Sequence, residues 1–311
     1  VEPLTRALAQ LRDDRAGPPD LLVHVWDSSS TGVPLSPLLR ALVDSLHASP
    51  FSLLTPRHEI AALSGDRVGA TYELGSQVLT LFDREAREAI YWMPDVEELP
   101  YYERGAPFRT VLHWWLAPHG VHLVHAAAVG TPDGVVLLTG KGGSGKSTTA
   151  LASLATSLQY VSDDYCAFSG GEQPQVLSIY NTGKLRDDED LARQPHLAPW
   201  VVNTDRAGDQ KYLMYLAEHV PERLLHRAPL RAIVLPRVAG VDQPRLERVS
   251  PAATLRALAP TSMFQLPGGE SEAFSRMADL ARRVPCFRLD CSPDLMATAG
   301  AVEDLVHELT G

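Results

Sequence analysis

Apolar residues recur along this chain at two periods, and the switches between them mark its elements. LLVHVWD (Leu21 to Asp27) alternates like a strand. Ser36-Pro37 reads as an N-cap with proline at the first helical position, and Leu39, Leu42, Val43 and Leu46 follow at helical spacing. VLTLFD and EAIYWM flank a charged turn at Arg84 to Arg87, which predicts a hairpin. Met93 to Pro107 reads as a connector. A second helix is expected from about Pro107, with Phe108, Val111, Leu112, Trp115 and Leu116 on one face. Trp114 and Trp115 are read as core packing and not as base-stacking residues.

The next stretch is the most apolar. VHLVHAAAV (Val121 to Val129) predicts one strand, GTPDG (Gly130 to Gly134) a turn, and VVLLT (Val135 to Thr139) a second strand. So short a link makes the two strands antiparallel neighbours. Leu151, Leu154, Ala155 and Leu158 then give a helix one apolar face, and QYVSD is a short strand after it. Arg231 to Pro236 and Cys286 to Asp290 read as strands, and Ser250-Pro251 and Ser292-Pro293 as helix starts. The pattern is α/β: a small N-terminal α+β domain over residues 1–105, with substrate recognition as its expected role, and a larger mixed-sheet domain over 106–311.

Composition narrows the setting. The 311 residues are ample for a buried core, and a net charge of −10 argues against nonspecific nucleic-acid binding. No apolar run approaches the roughly 20 residues that span a bilayer. VEPLTRALAQLRDDRAG lacks a basic cap followed by an apolar stretch, so no secretory signal is expected. Cys166, Cys286 and Cys291 show no metal-like clustering and are expected as buried packing residues in a reducing, cytoplasmic compartment.

Between the second strand of the hairpin and the helix lies TGKGGSGKST, Thr139 to Thr148. Gly140-x-x-x-x-Gly145-Lys146-Ser147 meets every position of the Walker A phosphate loop. Its glycines, Gly140, Gly142, Gly143 and Gly145, let backbone N–H groups turn inward around a β-phosphate, with Ser144 and Thr148 beside them. The helix start aims its positive dipole end at the same anion. Lys146 adds a charge over the β- and γ-phosphates, and Ser147 is a ligand for the bridging Mg²⁺. ATP and Mg²⁺ are the expected cofactors.

Two kinds of protein carry such a loop. Lys141 makes the sequence Lys-Gly-Gly-x-Gly-Lys-Ser, which resembles the loop of the MinD and ParA switch ATPases, where the first lysine crosses a dimer. Against that reading, 139 residues precede the loop, its strand returns as a hairpin, and an acidic pair follows only one short helix later. Lys141 then reads as a solvated loop lysine. Val161-Ser162-Asp163-Asp164-Tyr165 puts two carboxylates at a strand end, within reach of a γ-phosphate. Strand alternation is expected to send them to opposite sides: one to hold Mg²⁺, the other to accept a proton from an attacking hydroxyl. An Asp-Asp turn in solvent is the plainer alternative.

These motifs together resemble the catalytic domain of HPr kinase/phosphorylase and its relatives: histidine, hairpin, Walker A loop, then a Ser-Asp-Asp strand end. The resemblance covers Val121 to Cys166 well and later segments loosely. It implies the fold shared with phosphoenolpyruvate carboxykinase. It also implies Asp164 as general base, Asp163 as its metal-side companion, and His125 beside the phosphoryl site. His122 is expected on the opposite face from His125. Two features of the family are missing. Ser178 to Lys184 carries no Glu-Ile-Arg-Gly-like signature, which puts a second Mg²⁺ and a reverse phosphorylase reaction in doubt. No Pro-Gly-Arg-Asn-like loop follows; Thr204 to Lys211 stands in as its replacement, with Arg206 and Lys211 either neutralising phosphoryl charge or lying on the surface. The first hundred residues do not resemble the family's amino-terminal domain. The implied activity is transfer of the γ-phosphoryl group to a hydroxyl, a serine in a peptide or protein or free serine. Neither nucleic acid nor membrane is expected as a partner. The oligomeric state stays open, although relatives often form rings.

Overall fold

The computed structural model describes every residue except 1, 15, 16, 207 and 209. The chain divides into two compact units: residues 1–5, 13–119 and 264–268 form the first, and 6–12, 120–263 and 269–311 the second.

The first unit is built on four strands: β1 (Leu22–Asp27), β2 (Val68–Glu73), β3 (Val78–Asp83) and β4 (Glu88–Met93). They lie in the order β1-β4-β3-β2, antiparallel except for the parallel β1–β4 pair. Helix α1 (Pro37–Ala48) is capped by Ser36 and buries Val43 and Leu46 against Tyr72, Leu79 and Trp92. The connector over 93–107 contains a short helix, α2 (Tyr101–Gly105). Its Glu103 is buried and accepts hydrogen bonds from the Tyr91 hydroxyl at 2.9 Å and Arg109 at 2.9 Å.

Helix α3 (Arg109–Leu116) is rotated from the expected face. It buries Val111 and Trp114, while Leu112, Trp115 and Leu116 are half-buried. Trp114 decides the rotation. Its ring stacks on Phe82, its N–H donates to the Pro267 carbonyl at 2.9 Å, and it fills the space beside Gly69, where a Cβ would meet it at 2.8 Å.

The second unit holds β5 (Val121–Val124), β6 (Ala126–Thr131), β7 (Gly134–Thr139), β8 (Gln159–Ser162), β9 (Cys166–Ser169), β10 (Gln175–Leu177), β11 (Thr182–Leu185), β12 (Tyr212–Tyr215), β13 (Arg227–Val238), β14 (Arg245–Arg248) and β15 (Cys286–Cys291). Nine of these make one mixed sheet. Its main path runs β5-β9-β10-β13-β7-β6-β8, with β15 also paired to β13 and β14 to β15. β7 has a parallel neighbour, β13, on one side and the antiparallel β6 on the other. The strands read as continuous apolar runs because helices cover both faces. Val136 and Leu138 pack with α4 (Lys146–Ala152) and α8 (Leu295–Thr310). Val135 and Leu137, on the other face, pack with α6 (Pro251–Met263) and α7 (Glu270–Arg283). Helix α5 (Asp188–Ala192) and the β11–β12 ribbon lie off the sheet. All three cysteines are buried and unbonded to one another.

Four local expectations are corrected. The strand over 121–129 breaks at His125, whose backbone N–H leaves the ladder and donates to Ser262 Oγ at 3.0 Å. The hairpin turn is two residues, Pro132 and Asp133, because β6 continues to Thr131 and β7 begins at Gly134. Helix α4 tightens after Ala152, so Ala155 is exposed and Leu158 lies beyond it. The cap of α8 is Asp294, not Ser292. No helix among the described residues is long and apolar enough to cross a membrane.

Residues 6–12 belong to the second unit, where the Asn181 amide nitrogen donates to the Arg6 carbonyl at 2.7 Å and Gln10 Oε1 at 2.8 Å. Arg6 also pairs with Glu218 at 2.7 Å and lies over the Tyr215 ring.

The β6–β7 hairpin leaves no room at Gly130, where a Cβ would fall 2.4 Å from the Gly134 carbonyl and 2.5 Å from the Val135 Cα. Gly130→Ala is expected to destabilise the protein by about 1–3 kcal/mol, read from urea unfolding, because backbone atoms must move to admit the methyl group.

Candidate functional site

The loop between β7 and α4 follows from its glycines. Gly143 and Gly145 have φ of 74° and 103°, a region that a side chain makes costly. Lys146 opens α4 and is buried, its Nζ folded back onto the carbonyls of Gly140 at 2.8 Å and Lys141 at 3.2 Å. Burial lowers the Lys146 pKa, against the pull of Asp163 and Asp164. Lys141 is exposed and does not line the cavity beside the loop.

That cavity has a volume of about 600 Å³. Gly142 to Thr149 form one wall, and His125, Asp163, Asp164 and Lys184 close one end. The strand-alternation expectation for the two acids fails, because β8 ends at Ser162. The Tyr165 N–H donates to the Asp163 carbonyl at 2.8 Å, closing a three-residue turn with Asp164 at φ 67°. That turn, and not a pleat, lets both acids line the same cavity.

Their environments differ. Asp164 Oδ1 accepts from His125 Nε2 at 3.1 Å, and Oδ2 accepts from Lys184 Nζ at 2.5 Å. Burial pushes the Asp164 pKa up, but the Lys184 ammonium and the His125 hydrogen bond outweigh it and hold the carboxyl well below its ordinary value. Asp163 is fully buried, and neither carboxylate oxygen has a hydrogen-bond partner. Burial, then the charge of Asp164, raises its pKa; the Ser147 hydroxyl opposes this only in part. A buried carboxylate without donors beside a serine hydroxyl is an all-oxygen pair suited to a hard divalent cation. No cluster of three or more His, Cys, Asp or Glu forms a protein-only metal cage among the described residues.

Lys211 lines the cavity, whereas Arg206 does not. The Arg206 guanidinium is held by Asp188 at 2.7 Å and lies over the Tyr212 ring at 4.0 Å. Ala207 and Asp209, within the same expected loop, lie outside the described residues. Gly140 is not a lining residue; its carbonyl receives Lys146. His122 is buried on β5 against Phe168, away from the lining.

Sequence reasoning missed Lys184, Arg186 and Arg193, all of which line the cavity. Lys184 is buried on β11, a strand pressed onto α4 at Gly183, where a Cβ would meet Leu151 at 2.7 Å. The one signal in the sequence was a lysine inside the otherwise uncharged TGKL.

No protein-family model matches the chain, and no curated protein matches it. Among solved structures, the chain is similar to the HPr(Ser) kinase/phosphatase from Coxiella burnetii. Identity is 12%, over 60% of this chain and 93% of that one, with a TM-score of 0.33. The site stands on its own geometry.

Lys184→Met removes the cation from Asp164, leaving His125 as its remaining side-chain partner, and is expected to cost about 3 kcal/mol in urea unfolding, the low end of the penalty for breaking a buried ion pair. Adding Asp164→Asn should recover a large part of that loss, and a double-mutant cycle reads the coupling.

Proposed function

We propose that the chain is a phosphotransferase that uses ATP with Mg²⁺ and moves the γ-phosphoryl group to a hydroxyl, with a serine in a peptide or protein, or free serine, as the acceptor. The observation that carries the reading is Asp164: an ionised carboxylate oriented by His125 and Lys184, in the same cavity as the phosphate loop.

The residues divide the work. Gly142 to Ser147 line the cavity, and the backbone amides of such a loop suit phosphate oxygens, with the Ser144 N–H already donating to the Lys141 carbonyl at 3.2 Å. Lys146 leaves the loop carbonyls for the β- and γ-phosphates, exchanging neutral acceptors for charged ones. Ser147 and Asp163 supply oxygen ligands for Mg²⁺, whose chemistry would be to neutralise the phosphate oxygens. That role gives the unpartnered Asp163 carboxylate the cation its burial calls for.

Asp164 accepts the hydrogen bond of the acceptor hydroxyl and finally its proton. One O–P bond forms, the bond between the γ-phosphorus and the bridging oxygen breaks, and the nucleoside diphosphate leaves. A carboxylate held at low pKa is a weak base. Phosphoryl transfer through a loose transition state asks chiefly for a positioned hydroxyl and a late proton acceptor. Lys184 keeps that carboxylate ionised, and Lys211 adds positive charge to the cavity wall.

Asp164→Asn is expected to lower phosphate transfer by roughly 10²–10⁴-fold while leaving nucleotide affinity within a few-fold. Mass measurement of serine-containing peptides and free serine after incubation with ATP reads the first quantity, and calorimetry the second. Unchanged transfer would remove Asp164 from the mechanism. ATP-dependent dimerisation with no phosphorylated acceptor, lost in Lys141→Ala, would instead place the chain with the switch ATPases.

A further inference from the structure

The cavity has two chemically different ends, set by the order of the strands. On the β6–β8 side of the loop strand stand His125, Asp163 and Asp164. On the other side, the parallel strands β13 and β15 end together, with Val238 in register with Cys291. Val238, Cys291, Pro293 and Leu295 line this end together with Gly240, Ser292 and Thr298, none of which carries a charge; the charged lining residue that reaches it, Arg193, is exposed and donates to the Pro293 carbonyl at 2.8 Å. Val238 is 71% exposed, an apolar side chain presented to an open cavity.

The polar side chains here are already engaged. Ser292 Oγ donates to the Asp242 carbonyl at 2.8 Å and accepts from the Asp294 N–H at 3.1 Å. Thr298 Oγ1 accepts from the Ser292 N–H at 3.1 Å and donates to its carbonyl at 3.3 Å. The phosphate loop adjoins this end, since a Cβ on Gly145 would fall 3.7 Å from Cys291 Sγ.

What this end can hold rests on the nucleotide reading above. A γ-phosphoryl group beside Asp164 and phosphates on the loop leave one direction for the rest of the nucleotide. At ~4.8 Å per strand, β13 lies about 14 Å from β8, a span suited to an extended nucleoside triphosphate. We propose that Val238 and Leu295 form a nucleobase subsite that holds a purine by apolar contact and not by hydrogen bonds to its edge. A wall of this kind gives affinity with little power to tell one purine from another, because no buried donor or acceptor is left unpaired by the wrong base.

The test is calorimetric titration of the whole protein, with Mg²⁺ present, by ATP, GTP and inorganic tripolyphosphate. The subsite predicts that ATP binds at least about tenfold more tightly than tripolyphosphate, with GTP within about threefold of ATP. Val238→Ser/Leu295→Ser is expected to weaken ATP about tenfold and leave tripolyphosphate within about twofold; both substitutions are neutral, so repulsion does not confuse the result. Lys146→Ala should weaken both ligands. ATP affinity unchanged in the double variant overturns the subsite and leaves the phosphate loop standing. Preference for ATP over GTP by a hundredfold or more overturns recognition by apolar contact. A wild-type protein that binds neither ATP nor tripolyphosphate overturns the nucleotide reading and the subsite with it.

Discussion

Two adjacent carboxylates, Asp163 buried and Asp164 half-buried, stand together at one strand end, and keeping them there is the constraint on which the site depends. Like charges at that distance repel, and loss of water raises the energy of each. The protein resolves half of the problem itself. Lys184 and His125 compensate Asp164, whereas Asp163 has no hydrogen-bond partner on either carboxylate oxygen and is offset only in part by Ser147 and Lys184. The surrounding architecture follows from that asymmetry. β11 must reach α4 to deliver a buried lysine, the chain must leave the sheet at His125 to free its ring, and the turn at Asp164 must hold a left-handed residue. Backbone conformations that cost energy cluster at sites where geometry is over-determined by function.

The sequence made the local parts of this arrangement legible and hid the distant ones. The hairpin of β6 and β7, the glycine loop and the short helix after it are all specified by neighbouring residues, so period and turn chemistry suffice to find them. The paired aspartates could be placed near the loop for the same reason. Their relative orientation could not, because alternation applies only while a strand continues, and β8 stops one residue before Asp163. Lys184, whose one signal was its place in the uncharged TGKL, could not be put at the site for a different reason. Its partner is 20 positions away, and its burial depends on a glycine that lets β11 approach Leu151.

Arg206 and Trp114 show how tertiary partners override a local pattern. A cation in a polar loop after the acidic pair has the composition of a phosphate ligand, yet Asp188 and Tyr212 capture Arg206 first. Helical spacing on α3 favoured Trp115, whereas the gap at Gly69 and the carbonyl of Pro267 select Trp114. In both cases the deciding atoms come from residues that no single-element pattern contains.

The path of the chain through its two units carries a practical lesson. Residues 6–12 strap onto the larger sheet unit before the chain departs to build the smaller one and returns at 120. Both units are therefore discontinuous along the polypeptide: residues 1–5 and 264–268 belong to the smaller one, and residues 6–12 to the larger. A fragment cloned from residue 120 onward would discard the strap, strip the Asn181 amide of two acceptors and bare the ring of Tyr215. A minimal version of the larger unit would have to keep residues 6–12, joined to the later segment through a short linker, and to replace residues 264–268, which belong to the smaller unit.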